Sequence, residues 1–174
     1  GFMLCIFSCL YLVVCMAAAR NLTWKKFLVR CLRFGWFSLL AGGMASVILV
    51  PAYTALSSSE SMLNNSFPST IRFYTNFIDM MLAHFAGQEP INISSTQVGL
   101  NAYCGVIVLI LTVLYLLDRK VRLREKIGKF LLTAFLVLSF SMNILNYIWH
   151  GFHVQNGLPN RFAFLYIALL LVMG

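Results

Sequence analysis

The stretch FGWFSLLAGGMASVILVPAYTAL, residues 34 to 56, decides the fold class, because it runs for 23 residues without a charged side chain. A helix rises ~1.5 Å per residue, so crossing ~30 Å of hydrocarbon takes about 20 mostly apolar residues. The rest of the chain has the same character. Of its 174 residues 60% are hydrophobic and 10% charged, with a mean hydropathy of +0.84, against roughly 45 to 50% apolar and about 25% charged in soluble domains. Three further runs are long enough to span: FMLCIFSCLYLVVCMAAA (2–19), a run over about 100–117, and one over 130–149. A fifth, about 162–174, reads as the incomplete start of another span. The first run has no basic region ahead of it, which argues against a cleaved signal peptide. The expected fold is an all-α, polytopic transmembrane bundle with four full spans and the start of a fifth. It forms a single transmembrane region over 1–174 that is part of a longer polytopic protein.

Charge gives the orientation. Arg20, Lys25, Lys26, Arg30 and Arg33 lie between the first two runs, and Arg119, Lys120, Arg122, Arg124, Lys126 and Lys129 between the third and fourth; only Arg72 and Arg161 lie elsewhere. Positive charge accumulates in cytoplasmic loops, so 20–33 and 118–129 are placed in the cytoplasm, and the linker 57–98 and the turn 150–161 outside. The expected setting is a bacterial plasma membrane. The net charge of +8 is then topological, with anionic lipid as its partner. Nucleic acid is not an expected partner, since these loops carry few aromatics for stacking and no recognition motif.

Several local patterns refine this outline. Ala41, Gly42, Gly43, Ala45 and Ser46 are small residues at close helical spacing, which suits helix packing, and Pro51 would kink the helix near its outer end. In the outer linker, STIRFYTNFIDMMLAHF (69–85) places Ile71, Tyr74, Phe77, Ile78, Met81, Leu82 and Phe85 on one helical stripe, with Arg72, Asn76, Asp79 and Ala83 opposite. Ser69 would cap it. That pattern reads as an outer amphipathic helix lying in the membrane interface or packed on a small outer domain. Asn143 and Asn146 are expected to bond other helices or the polar turn that follows.

The chemistry-bearing residues are sparse. Cys5, Cys9, Cys15, Cys31 and Cys104 fall in or beside apolar runs and read as packing, so no metal site follows from them. Apart from their ends, the spans carry no ionisable residue, which argues against ion coupling through this region. The polar knot NYIWHGFHVQNGLPNRFAF (146–164) stands out between two apolar runs. His150 and His153 have the spacing of a metal pair but supply only two of the usual three or four ligands. No cofactor is evident, and a divalent metal is unsupported. Arg161 follows the GLPN turn at headgroup depth. There its guanidinium either holds a phosphate in two-pronged fashion or extends to the interface for solvation alone.

These residues carry a resemblance. NILNYIWHGFHVQNGLPNRFAFLYIALLL (143–171) resembles the signature region of the YfhO family of bacterial multi-span membrane proteins, and GFMLCIFSCLYLV, LLAGGMASVILVPAYTAL and residues 101–140 are similar to the family's preceding spans. The resemblance implies a GT-C type glycosyltransferase that takes a sugar from a polyprenyl-phosphate donor and passes it to an envelope polymer such as teichoic acid on the outer face. It also implies that the catalytic aspartate lies in an outer loop upstream of this sequence, so the catalytic residues remain unknown here and Asp79 is not assigned the role. The candidate contacts to the lipid phosphate or sugar are Arg161, His150, His153 and Asn156. The alternative is a transporter or flippase for a lipid-linked envelope precursor.

Overall fold

The computed structural model describes residues 2–20, 22–57, 67–87, 100–152 and 160–174. They form helices and no strand: α1 (Phe2–Ala18), α2 (Trp24–Ser57), α3 (Phe77–Leu82), α4 (Val106–Leu117), α5 (Leu123–Ser141), α6 (Asn143–Trp149) and α7 (Ala163–Met173). The chain divides into two compact units. One comprises 1–18 and 66–174, the other 19–65.

The second unit is essentially α2. Its 34 residues begin ten residues before the apolar run, so Lys25, Lys26, Arg30 and Arg33 are helical and not part of a loop. Charge marks the side of a membrane but does not break a helix, and Lys and Arg are good helix formers. Among the described residues, Trp24–Ala55 is the one helix long and apolar enough to cross a membrane. The other runs are shorter or more charged than expected: α1 has 17 residues, α4 has 12 and α7 has 11. At ~1.5 Å per residue, α4 and α7 reach roughly 16 to 18 Å.

In the first unit, α5 and α7 each turn an apolar stripe inward. Leu132, Leu136 and Phe140 recur every fourth residue on α5, and Leu165, Tyr166, Leu169, Leu170 and Met173 follow the same period on α7; all are buried in one cluster with Val108 of α4. α1 lies against α5, where a Cβ added at Gly128 would sit 2.8 Å from Val14 Cγ1. A stiff β-branched side chain cannot easily swing away, so glycine is what allows this approach.

The connection between α4 and α5 is tied more tightly than a solvated basic loop. Lys129 is 8% exposed, bonds Glu125 at 3.0 Å one turn earlier and lies 4.8 Å over the Tyr115 ring. Tyr115 donates its hydroxyl to the same carboxylate, and Lys126 Nζ donates to the Leu116 carbonyl. The hydrogen bond and charge of Lys129 hold the Glu125 carboxyl below the usual carboxylate range.

Two departures from expectation shape the rest. The run 130–149 is not one helix, because α5 ends at Met142, whose backbone is extended (φ −94°, ψ 122°). Neither glycine nor proline causes the break. Phe73 forms an antiparallel bridge to Met142, Tyr74 N–H donates to the Ser141 carbonyl and Asn143 N–H to the Arg72 carbonyl. The Asn143 side chain completes the clamp. Its amide donates to Thr70 O at 2.7 Å, and its oxygen accepts from the N–H of Arg72 and of Ile144. The backbone groups lost to the helix are thus satisfied by a segment about 70 residues earlier.

The amphipathic helix expected over 69–85 shrinks accordingly to the six residues of α3, with Asn76 in place of Ser69 as its N-cap. Residues 72–74 are extended in order to pair with 141–143. The apolar stripe is the outward face, the orientation a helix lying in the membrane interface requires. Met80, Ala83 and His84 are buried, while Ile71, Tyr74, Phe77, Ile78, Met81, Leu82 and Phe85 are all exposed. Hydrocarbon does not repel such a stripe, so in a membrane protein the apolar face marks lipid contact as readily as core.

Asn143→Ala should loosen this clamp, removing two of the four bonds that hold residues 70–74. The expected loss is about 2 kcal/mol. It would be read as a lower melting temperature of the detergent-solubilised intact protein together with faster protease cleavage in the linker 57–98. Unchanged cleavage would contradict the clamp.

Candidate functional site

The polar knot begins where α6 ends. Phe152 N–H donates to the Tyr147 carbonyl and Gly151 N–H to that of Ile148, the paired bonds that close a helix through a left-handed residue. Gly151 supplies that residue, with φ +76°, and the Phe152 ring meets Tyr147 edge-on at 6.0 Å, the apolar contact that accompanies this cap. The chain re-enters at Asn160, also left-handed (φ 53°). There Asn146 Nδ2 donates to Asn160 Oδ1 at 2.8 Å, with both residues buried. One side-chain bond therefore fixes the two ends of the knot, and Asn146 makes the link to the turn that its position suggested.

An aromatic stack floors the knot. Phe162 is fully buried between Trp149 at 5.0 Å and Phe140 at 4.8 Å, both nearly parallel to it. The His150 ring meets Phe162 edge-on. Trp149 is thus packed core, whereas Phe152 is exposed.

Of the four candidate contacts, two are described. Arg161 is exposed, one residue beyond the Asn146–Asn160 bond. His150 caps α6, and its Nδ1 lies 2.8 Å from the Asn146 carbonyl. A carbonyl only accepts, so Nδ1 carries the hydrogen and the neutral ring keeps its lone pair on Nε2. That atom is buried and has no hydrogen-bond partner among the described residues. Burial pushes the His150 pKa down and the nearby Arg161 charge adds to this, outweighing the opposing Asn146 bond. At neutral pH His150 is therefore uncharged, which suits accepting from a hydroxyl better than pairing with a phosphate. Arg161 is the cation of the pair. His153 and Asn156 lie outside the described residues.

A second polar pair went unassigned in the sequence. His84 is 5% exposed; its Nδ1 donates to the Met80 carbonyl at 2.8 Å, and its Nε2 accepts from the Tyr166 hydroxyl at 2.7 Å. It joins the segment just after α3 to the first turn of α7. Asp79, by contrast, is exposed on α3. The available signal for His84 was its place beside Ala83, on the small and polar face of a stripe whose other face is wholly apolar. Among the described residues no group of three or more His, Cys, Asp or Glu could hold a metal ion.

No curated protein and no solved structure matches the chain. The model of the family described as "Bacterial membrane protein YfhO" matches residues 1–174. On that match the chain belongs to the YfhO family of bacterial membrane proteins.

Proposed function

We propose that this chain is the lipid-phosphate-handling part of a membrane glycosyltransferase, which moves a sugar from a polyprenyl-phosphate donor to an envelope polymer such as teichoic acid on the outer face of the bacterial plasma membrane. In this reading residues 1–174 form one multi-span region with 20–33 and 118–129 in the cytoplasm and 57–98 and 150–161 outside. The observation that carries it is Arg161, an exposed guanidinium next to a turn whose ends are fixed by the Asn146–Asn160 bond. It stands at the start of an apolar helix in a chain of a membrane protein family. A phosphate whose lipid tail lies among the helices would meet it at headgroup level.

In the transfer, the acceptor hydroxyl oxygen attacks the anomeric carbon, the carbon's bond to the phosphate oxygen breaks, and the hydroxyl proton passes to a carboxylate base. The departing polyprenyl phosphate gains negative charge, and Arg161 stabilises it where that charge develops. His150, neutral and beside Arg161, is assigned to the sugar side of the site, with His153 and Asn156 as the further candidate contacts. The carboxylate base is assigned to the outer loop that the family resemblance places ahead of residue 1. No metal is invoked.

The test uses the intact protein reconstituted in vesicles with a polyprenyl-phosphate donor labelled in its sugar and an envelope-polymer acceptor. Label appearing in the polymer supports transfer. Label that crosses the bilayer while still attached to the lipid would overturn it in favour of a flippase.

A further inference from the structure

The first ten residues of α2 are amphipathic in a way that glycosyl transfer does not use. At about 100° per residue, Lys25, Lys26, Val29, Arg30 and Arg33 fall within about 140° of the helix circumference. Trp24, Phe27, Leu28, Cys31 and Leu32 occupy the opposite side. The four basic residues and Val29 line one groove of about 300 Å³, with no acidic side chain in it. Trp24 and Phe27 stack at 5.5 Å, an aromatic pair of the kind that favours the membrane interface.

The helix length sets the depth of this groove. The apolar run from Phe34 onward takes up ~30 Å of hydrocarbon with about 20 residues. The rigid continuation back to Trp24 then spans roughly 15 Å, enough to cross the headgroup layer. A cationic groove on the same helix as its own membrane anchor is thereby held where phosphodiesters are concentrated.

We infer that Lys25, Lys26, Arg30 and Arg33 form a binding surface for the phosphate headgroups of anionic phospholipid, in the leaflet bordering the N-terminal end of α2. The shared chemistry is a phosphate anion, and the lipid is the source chosen because the groove and the anchor are one helix. Arg30 and Arg33 grip the phosphate in two-pronged fashion, while the two lysines contribute charge. This surface is independent of the sugar-transfer reading.

The experiment purifies the intact protein in neutral detergent, adds equimolar phosphatidylglycerol and phosphatidylcholine, and counts retained lipids by native mass spectrometry. The wild type is expected to retain phosphatidylglycerol preferentially. In Lys25→Gln/Lys26→Gln/Arg30→Gln/Arg33→Gln that preference should fall by at least about tenfold, given the contribution of each basic residue near an anionic surface. Lys120→Gln/Arg122→Gln/Arg124→Gln should lower it by a clearly smaller factor. Removing four positive charges can also disturb insertion, so Arg30→Lys/Arg33→Lys, which keeps them, is the second variant and should lose part of the preference. An unchanged preference in either α2 variant overturns the assignment, as does equal loss in the 120–124 variant. Displacement of the lipid by inorganic phosphate at matched concentration would identify free phosphate as the ligand and overturn the lipid assignment.

Discussion

Phe162→Ala is expected to cost about 3 to 5 kcal/mol, the range for emptying a buried phenylalanine site. Phe162 is the middle ring of the Trp149–Phe162–Phe140 stack and has no exposed surface. Its removal would cancel two ring contacts, each worth about 0.5 to 1.5 kcal/mol beyond area, and leave a cavity walled by two rings that cannot collapse onto each other. Lipid offers helices little hydrophobic drive to associate, so lost packing is felt directly. Phe164, two residues on and half exposed, provides the contrast. Phe164→Ala should change stability by no more than about 0.5 kcal/mol. Chemical or thermal unfolding of the detergent-solubilised intact protein measures both, and equal losses would mean that the stack does not organise the knot.

The helical, membrane class was legible from composition alone, and the side-chain amides of Asn143 and Asn146 were legible as bonding groups because such groups are rarely left unpaired in an apolar setting. What the sequence hid is non-local. The break at Met142 lies inside an apolar run with no glycine or proline, and its cause is a strand-like pairing with residues 72–74. No window around residue 142 contains those partners. The stripe over 69–85 misled in length, because the pairing of residues 72–74 with 141–143 leaves only six residues helical. The start of α2 was displaced by ten residues because the charges of Lys25 to Arg33 were read as a loop, when charge and helicity are compatible.

The knot was equally divided. Its exposed basic residue and its polar character could be read directly, as could the two histidines. The neutral state of His150 could not, since it depends on the carbonyl of Asn146 occupying Nδ1 and on burial of the ring. Nor could the His84–Tyr166 bond, which joins residues 82 positions apart.

Arg161 carries the larger functional prediction. It is exposed, so Arg161→Ala should leave folding and insertion intact. If its guanidinium stabilises the departing lipid phosphate, losing one such electrostatic partner costs on the order of 100- to 1,000-fold in the rate of the chemical step. Arg161→Lys keeps the charge but not the two-pronged geometry, and should recover only part of the rate. A residue that merely reaches the interface for solvation would tolerate lysine fully. The direct measurement is sugar transfer from the polyprenyl-phosphate donor by the reconstituted intact protein, with Arg161→Ala compared with wild type at matched insertion. A rate lowered at least about 100-fold is the expected result, and wild-type transfer by Arg161→Ala would contradict a phosphate site at the knot.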